Sequence, residues 1–293
     1  MFLIAVAAVA AALVTWAILR WFLPLPSRAA VQPERPVQPD RSDRRQPAAP
    51  ALRLPRRLAA GVALTLPALA LTIVRLAAPQ AMPAPLASPW LHAILVTPVM
   101  FYCGSPIHRA GAAALRRREP DGSTMASLGA WLMYLCCLAA CGVPQLFDVP
   151  CEPLFLAVDS IVVLTLAVGL LAFPRGVARP RPVGPAAAWL ARAVPPLAMI
   201  VAAWTFALWA ALAPSTVLPQ GLVAAVNVLV VLCPCALPLP AARLGAAAVY
   251  AVVTVPVAAG VLVPFTGWLP DPTVVALVAA GVAAALLCAA RRA

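Results

Sequence analysis

The chain of 293 residues contains no lysine, so all 21 of its basic side chains are arginine. Acidic residues number only 9, and charged residues make up 10% of the chain against 64% hydrophobic. So little charge excludes an ordinary soluble domain and defines a polytopic membrane protein. A net charge of +12 would suggest nucleic acid as partner in a soluble protein. Here the arginine positions report topology instead. A secretory signal is also lacking: residues 2–23 are apolar up to Arg20-Trp21, without a positive start or a small-residue cleavage site. No glycine-rich phosphate cradle occurs. The cysteines (103, 136, 137, 141, 151, 233, 235 and 288) lie mostly in or beside apolar runs. That placement argues against a secreted disulfide framework.

What is present is a succession of apolar runs. Residues 1–23 read as an uncleaved N-terminal span that starts outside. Residues 24–57, rich in Pro, Arg, Gln and Asp, cannot bury a core and read as a disordered cytoplasmic linker. Residues 58–293 carry further spans near 58–77, 89–105, 123–141, 154–173, 190–212, 220–240, 243–263 and 271–290. The expected fold is all-α, a transmembrane bundle of about nine spans. Starting outside, this count puts every arginine except Arg75 on the cytoplasmic side, as the positive-inside rule requires. The expected location is the inner, cytoplasmic membrane, with the C-terminus in the cytoplasm.

The run Gly221–Pro264 holds the most specific chemistry, Cys233-Pro234-Cys235. In a regular helix, residues two apart point about 200° away from each other and share no ligand. Pro234 removes a backbone donor and clashes with the preceding turn, so the helix should open there. Broken backbone in a membrane is tolerated where it is buried in protein or lines a cavity. Two thiolates on such a turn, with no hard ligand nearby, suit Cu(I). The alternative is a pair of small buried cysteines beside a proline kink.

The flanks extend this motif. CPCALPLPAA (Cys233–Ala242), ALTLP (Ala63–Pro67), TPVMFYCGSP (Thr97–Pro106) and VPVAAGVLVPFTGW (Val255–Trp268) occur in that chain order. They resemble the membrane part of the heavy-metal-transporting P-type ATPases, copper-type branch, whose own core motif is CPCALGLATP. The resemblance covers nearly everything from Arg56 onward, and eight of the expected spans correspond to that membrane domain. It implies that Cys233, Cys235 and Tyr250 are intramembrane metal ligands. For Pro106–Glu119, with Arg109, Arg116, Arg117 and Arg118, it implies a helix bent along the membrane surface where copper chaperones dock. The residues themselves favour an ordinary positive-inside segment on lipid headgroups.

Much of the family's machinery is missing. Only Pro174–Ala188 stands where the actuator domain would be inserted, and Pro240 leads within three residues to Arg243. Without lysine there is no Asp-Lys-Thr-Gly phosphorylation motif. The sole Thr-Gly, Thr266-Gly267, runs into Trp268 rather than the glutamate of a dephosphorylation loop. The resemblance therefore implies a protein that does not hydrolyse ATP by that mechanism. The family's metal-entry positions fall on Gly122, Phe173 and Ala188, and its exit glutamate on Ala157. Its tyrosine-asparagine pair falls on Tyr250-Ala251, and its last methionine and serine on Ala279 and Ala283.

Possible auxiliary groups are Asp159, the lone acid within a span, and Cys137 with Cys141, which share a helix face at i, i+4. Cys136 accompanies them. Trp131, Trp204 and Trp209 read as core or interface aromatics. Cys151 and Glu152 read as outer-loop residues, and His92 and His108 as isolated. The expected function is a non-catalytic membrane protein that binds or hands on Cu(I). Its partners would be the lipid bilayer and a copper chaperone, a full-length copper pump or a copper-oxidase assembly factor. The alternative is an accessory subunit that keeps the bundle shape and carries its cysteines as vestiges.

Overall fold

The computed structural model describes residues 2–22, 53–77, 88–143, 151–172, 185–212, 220–236 and 241–292. All regular structure among them is helical: α1 (Phe2–Phe22), α2 (Arg53–Ala77), α3 (Pro89–Pro98) continued by a π-turn (Val99–Cys103), and α4 (Ser105–Arg116). There follow α5 (Gly122–Gly142), α6 (Cys151–Ala172), α7 (Pro185–Leu212), and α8 (Leu222–Leu232) continued by a 3-10 turn (Cys233–Ala236). α9 (Ala241–Ala258), α10 (Val263–Thr266) and α11 (Pro272–Arg292) complete the chain. The all-α expectation holds. α2 starts inside the expected linker, so Arg53–Arg57 are helical, and the rest of that linker lies outside the described residues. Phe173 also lies outside them.

The count of about nine spans does not hold. Among the described residues, four helical segments are long and apolar enough to cross a membrane: Pro55–Val74, Gly122–Gly142, Pro153–Leu171 and Arg192–Leu212. The pair Pro89–Cys103 and Ser105–Arg116, bent by 57°, makes a fifth if taken as one broken span. The other apolar stretches, Ala8–Phe22, Leu222–Cys235, Gly245–Ala258 and Pro272–Cys288, are shorter than 18 residues. At about 1.5 Å per residue, the shortest of these cover about 21 Å of a core about 30 Å thick. For α8 the cause is local: regular α-helix gives way to a 3-10 turn at the Cys-Pro-Cys motif.

α8 is the hub. Every residue from Val223 to Leu232 is buried, as expected of a helix that is apolar all round. It packs against α5, α7, α9 and α11. α5 turns Gly129 toward it: a Cβ placed there would make ordinary contact, 3.6 Å from both Val226 and Val230. Asn227, buried on the same helix, donates its amide to the Pro270 carbonyl at 2.9 Å and ties α8 to the entry of α11. α6 packs against α2, α3, α5 and α11, while α1 lies on α7, where Trp204 Nε1 donates to Thr15 Oγ1 at 3.0 Å. Large apolar side chains such as Leu13, Trp16, Ile94, Leu208, Val249 and Val252 point outward. A bilayer is the environment that suits such a surface.

The bend between α3 and α4 centres on Gly104. A Cβ there would collide with the Met100 carbonyl and stand 2.7 Å from His108 Nε2. His108 spans the bend, with Nδ1 2.8 Å from Ser127 Oγ of α5 and Nε2 3.2 Å from the Met100 carbonyl. Since a carbonyl only accepts, Nε2 carries the proton and Nδ1 accepts from Ser127. Beyond the bend, α4 buries Ile107 and Gly111 and exposes Arg109 and Arg116.

Candidate metal centre

Pro234 ends the regular hydrogen bonding of α8, and the backbone tightens into the 3-10 turn Cys233–Ala236. The two thiols leave that turn toward different neighbours. Cys233 Sγ donates to its own helix at the Leu229 carbonyl, 3.4 Å, and also faces the Gly122 carbonyl of α5 at 3.8 Å. Cys235 Sγ donates to the Ala247 carbonyl of α9 at 3.5 Å. Tyr250 stands one turn further along α9, and its hydroxyl lies within electrostatic reach of both sulfurs. That hydroxyl is buried with no hydrogen-bond partner among the described residues. Nearby Thr254 donates to the Tyr250 backbone carbonyl at 2.7 Å instead. Cys233, Cys235 and Tyr250, from two helices, thus meet at one place.

The other expected ligands do not join them. Cys137 is buried and Cys141 half-buried on α5. Cys137 stands fifteen residues past Gly122, about 22 Å along the helix. Asp159 is fully buried, but it faces Thr65 of α2 rather than the Cys-Pro-Cys turn. Cys151 and Glu152, expected in a loop, open α6. Among the described residues, no group of three or more His, Cys, Asp or Glu side chains is placed to hold a metal ion. The centre can therefore offer two sulfurs and a phenol. That set is soft enough for Cu(I) and too poor in oxygen and nitrogen donors for a hard dication.

One neighbour was not legible in the sequence. Asp121 lies within electrostatic reach of Cys233, from 112 positions away in the chain. It is the N-cap of α5: its carboxylate accepts the Thr124 N–H at 3.0 Å, and its own N–H donates to Thr124 Oγ1 at 3.2 Å. The usable signal was its adjacency to Gly122, where the family's entry methionine falls. Trp131 joins Phe101, Tyr134 and His108 in an edge-packed aromatic cluster. Trp209, mostly buried, donates its indole N–H to the Ala259 carbonyl at 3.1 Å, whereas Trp204 is exposed.

No family model matches the chain, no curated protein is detectably similar to it, and no solved structure matches it. The likeness to copper-type P-type ATPases therefore rests on the motifs quoted above. What the fold and composition define is a class: an all-helical protein of the membrane.

Proposed function

We propose that this chain is a non-catalytic membrane protein that binds Cu(I) at Cys233 and Cys235 and holds it or hands it on. The observation that carries the reading is the convergence of two thiols on an opened helix turn with a buried phenol that has no hydrogen-bond partner among the described residues. Each thiol donates only to a carbonyl, so losing its proton to copper strands no obligatory donor elsewhere. Asp121 offers a carboxylate at the mouth of the site, on the side where the resemblance expects metal entry. On this reading the chain sits in the cytoplasmic membrane, with its arginine-rich segments on the cytoplasmic side. Its protein partner on this reading is a copper chaperone or a full-length copper pump.

The test is copper stoichiometry of the purified chain under reducing conditions. About one Cu(I) per chain is expected for wild type, with loss in Cys233→Ala and in Cys235→Ala. With copper added, neither ATP hydrolysis nor an acid-stable phosphoenzyme should appear. A second reading, an accessory subunit of a copper pump or copper-oxidase assembly, is favoured by the separate carbonyl partners of the two thiols. Equal, near-zero copper in wild type and both variants decides for it.

A further inference from the structure

α2, α3 and α6 enclose a second polar region, away from the thiols. Gly61 of α2 fits beneath Val163 of α6 and Cys103 of the π-turn: a Cβ on Gly61 would lie 3.1 Å from Val163 Cγ2 and 3.6 Å from Cys103 Sγ. One turn along α2 and one turn back along α6, Thr65 stands beside Asp159, so the two helices run antiparallel. The Thr65 hydroxyl nonetheless donates to the Gly61 carbonyl at 2.9 Å. Both Asp159 oxygens are buried, and among the described residues neither is held in a formed hydrogen bond, although the Thr65 hydroxyl is close enough to turn toward them. Two turns further along α2, Thr72 Oγ1 meets His92 Nε2 of α3 at 3.5 Å. At the opposite end Arg57 donates to the Tyr102 carbonyl at 3.2 Å and to Ser105 Oγ. Arg57, Gly61, Thr65 and Thr72 thus share one face of α2, met in turn by Tyr102 and Ser105, by Val163 and Cys103, by Asp159 and by His92.

We propose that Asp159 is a proton-exchange site, loaded and emptied along this seam between α2, α3 and α6. A buried carboxylate with no counter-ion beside it is costly at membrane depth, so the group rests as the neutral acid. The seam sets what faces it. Cys103 lies within electrostatic reach of both Arg57 of α2 and Asp159. His92 of α3 lies beyond Thr72. Of the other helices packed on α6, α5 carries Tyr134 and the thiols Cys136, Cys137 and Cys141, and α4 carries His108, Arg109 and Arg116 past the bend. α11 brings no ionisable side chain between Pro272 and Leu287. A buried carboxylic acid beside the Thr65 hydroxyl and within electrostatic reach of the Cys103 thiol is built to trade a proton rather than to hold a permanent charge. The Cys-Pro-Cys turn plays no part, so this inference stands apart from the copper reading.

The experiment is infrared spectroscopy of the full chain in liposomes, in H2O and D2O, across pH. Wild type should show a protonated-carboxyl band that shifts in D2O, shrinks as pH rises and is missing from Asp159→Asn. Thr65→Val should keep the band but slow its deuterium shift several-fold. A band that neither exchanges nor titrates, or a spectrum identical in Asp159→Asn, overturns the proposal. Unchanged exchange in Thr65→Val overturns the seam as the route. Should Asp159→Asn not fold, dicyclohexylcarbodiimide labelling of wild type, mapped by mass spectrometry, replaces it. Labelling at Asp159 that falls with rising pH supports the site, and absent or pH-independent labelling overturns it.

Discussion

The Cys-Pro-Cys turn and the Asp159 seam both interrupt an apolar bundle, and they do so in opposite ways. At the turn the backbone is broken, while the polar side chains, two thiols, both find carbonyl partners. In the seam α2 and α6 are unbroken at that level, and the Asp159 carboxyl is the side chain with no formed hydrogen bond among the described residues. A thiol buried on a carbonyl sacrifices little, being nearly a hydrophobe. A carboxyl buried without one is a standing cost, which stability alone does not repay. The first region can be an inherited shape, whereas the second needs a use to explain its retention.

Copper separates the two most strongly. Cys233→Ala and Cys235→Ala should each take bound Cu(I) from about one per chain to background, with Tyr250→Phe retaining most of it. Asp159→Leu should leave copper unchanged, measured in the same preparation. Copper lost in Asp159→Leu, in protein that remains folded, would merge the two regions into one site and break the comparison.

Stability should move the other way. Asp159→Leu removes an unsatisfied buried group and should raise resistance to thermal unfolding in detergent by about 1–3 kcal/mol. The cysteine variants should shift it by less than about 1 kcal/mol, since each removes one weakly bonded sulfur. A destabilised Asp159→Leu would show that the carboxyl has a structural partner among the remaining residues.

His108 straps the two regions together, since it ties the π-turn that carries Cys103 to α5, whose N-terminus lies at Cys233. Burial lowers its pKa below the ordinary histidine value, outweighing the Met100 carbonyl, which raises it. A depressed folded-state pKa means the unfolded chain takes up the proton first. The full contribution of the neutral strap is therefore present above about pH 6.5. It declines as pH falls through that value toward the folded pKa. Thermal stability should drop over this window in wild type and stay flatter in His108→Gln.

How far these features could be read in advance follows from their chemistry. The opened turn was legible because proline has a single local effect, and the bend before Pro106–Glu119 was expected only through the resemblance. The burial of α8 follows from its having no polar face. The span count failed because apolar composition does not say where a helix ends. Asp121 beside Cys233, Thr65 beside Asp159 and His108 across the bend are contacts between helices distant in sequence. No periodicity within one segment encodes them.

The smallest effect falls on Asp121, and there two roles must be separated. As N-cap it satisfies the Thr124 N–H, and Asp121→Ala should cost about 1 kcal/mol through that lost bond. As a carboxylate within reach of Cys233 it bears on a cation approaching the thiols, a role that depends on charge and not on capping. Asp121→Asn divides the two, because asparagine caps a helix about as well as aspartate. Its melting behaviour should match wild type, while the rate of Cu(I) loading from a chelated donor should fall a few-fold, with stoichiometry unchanged. Salt should narrow that gap, since the Debye length shrinks to about 3 Å at 1 M. If Asp121→Asn loads copper at the wild-type rate while Asp121→Ala alone is destabilised, the residue is only a cap. The Cys-Pro-Cys turn then has no acidic group at its mouth, and Asp159 is left as the sole carboxylate with a functional claim inside the bundle.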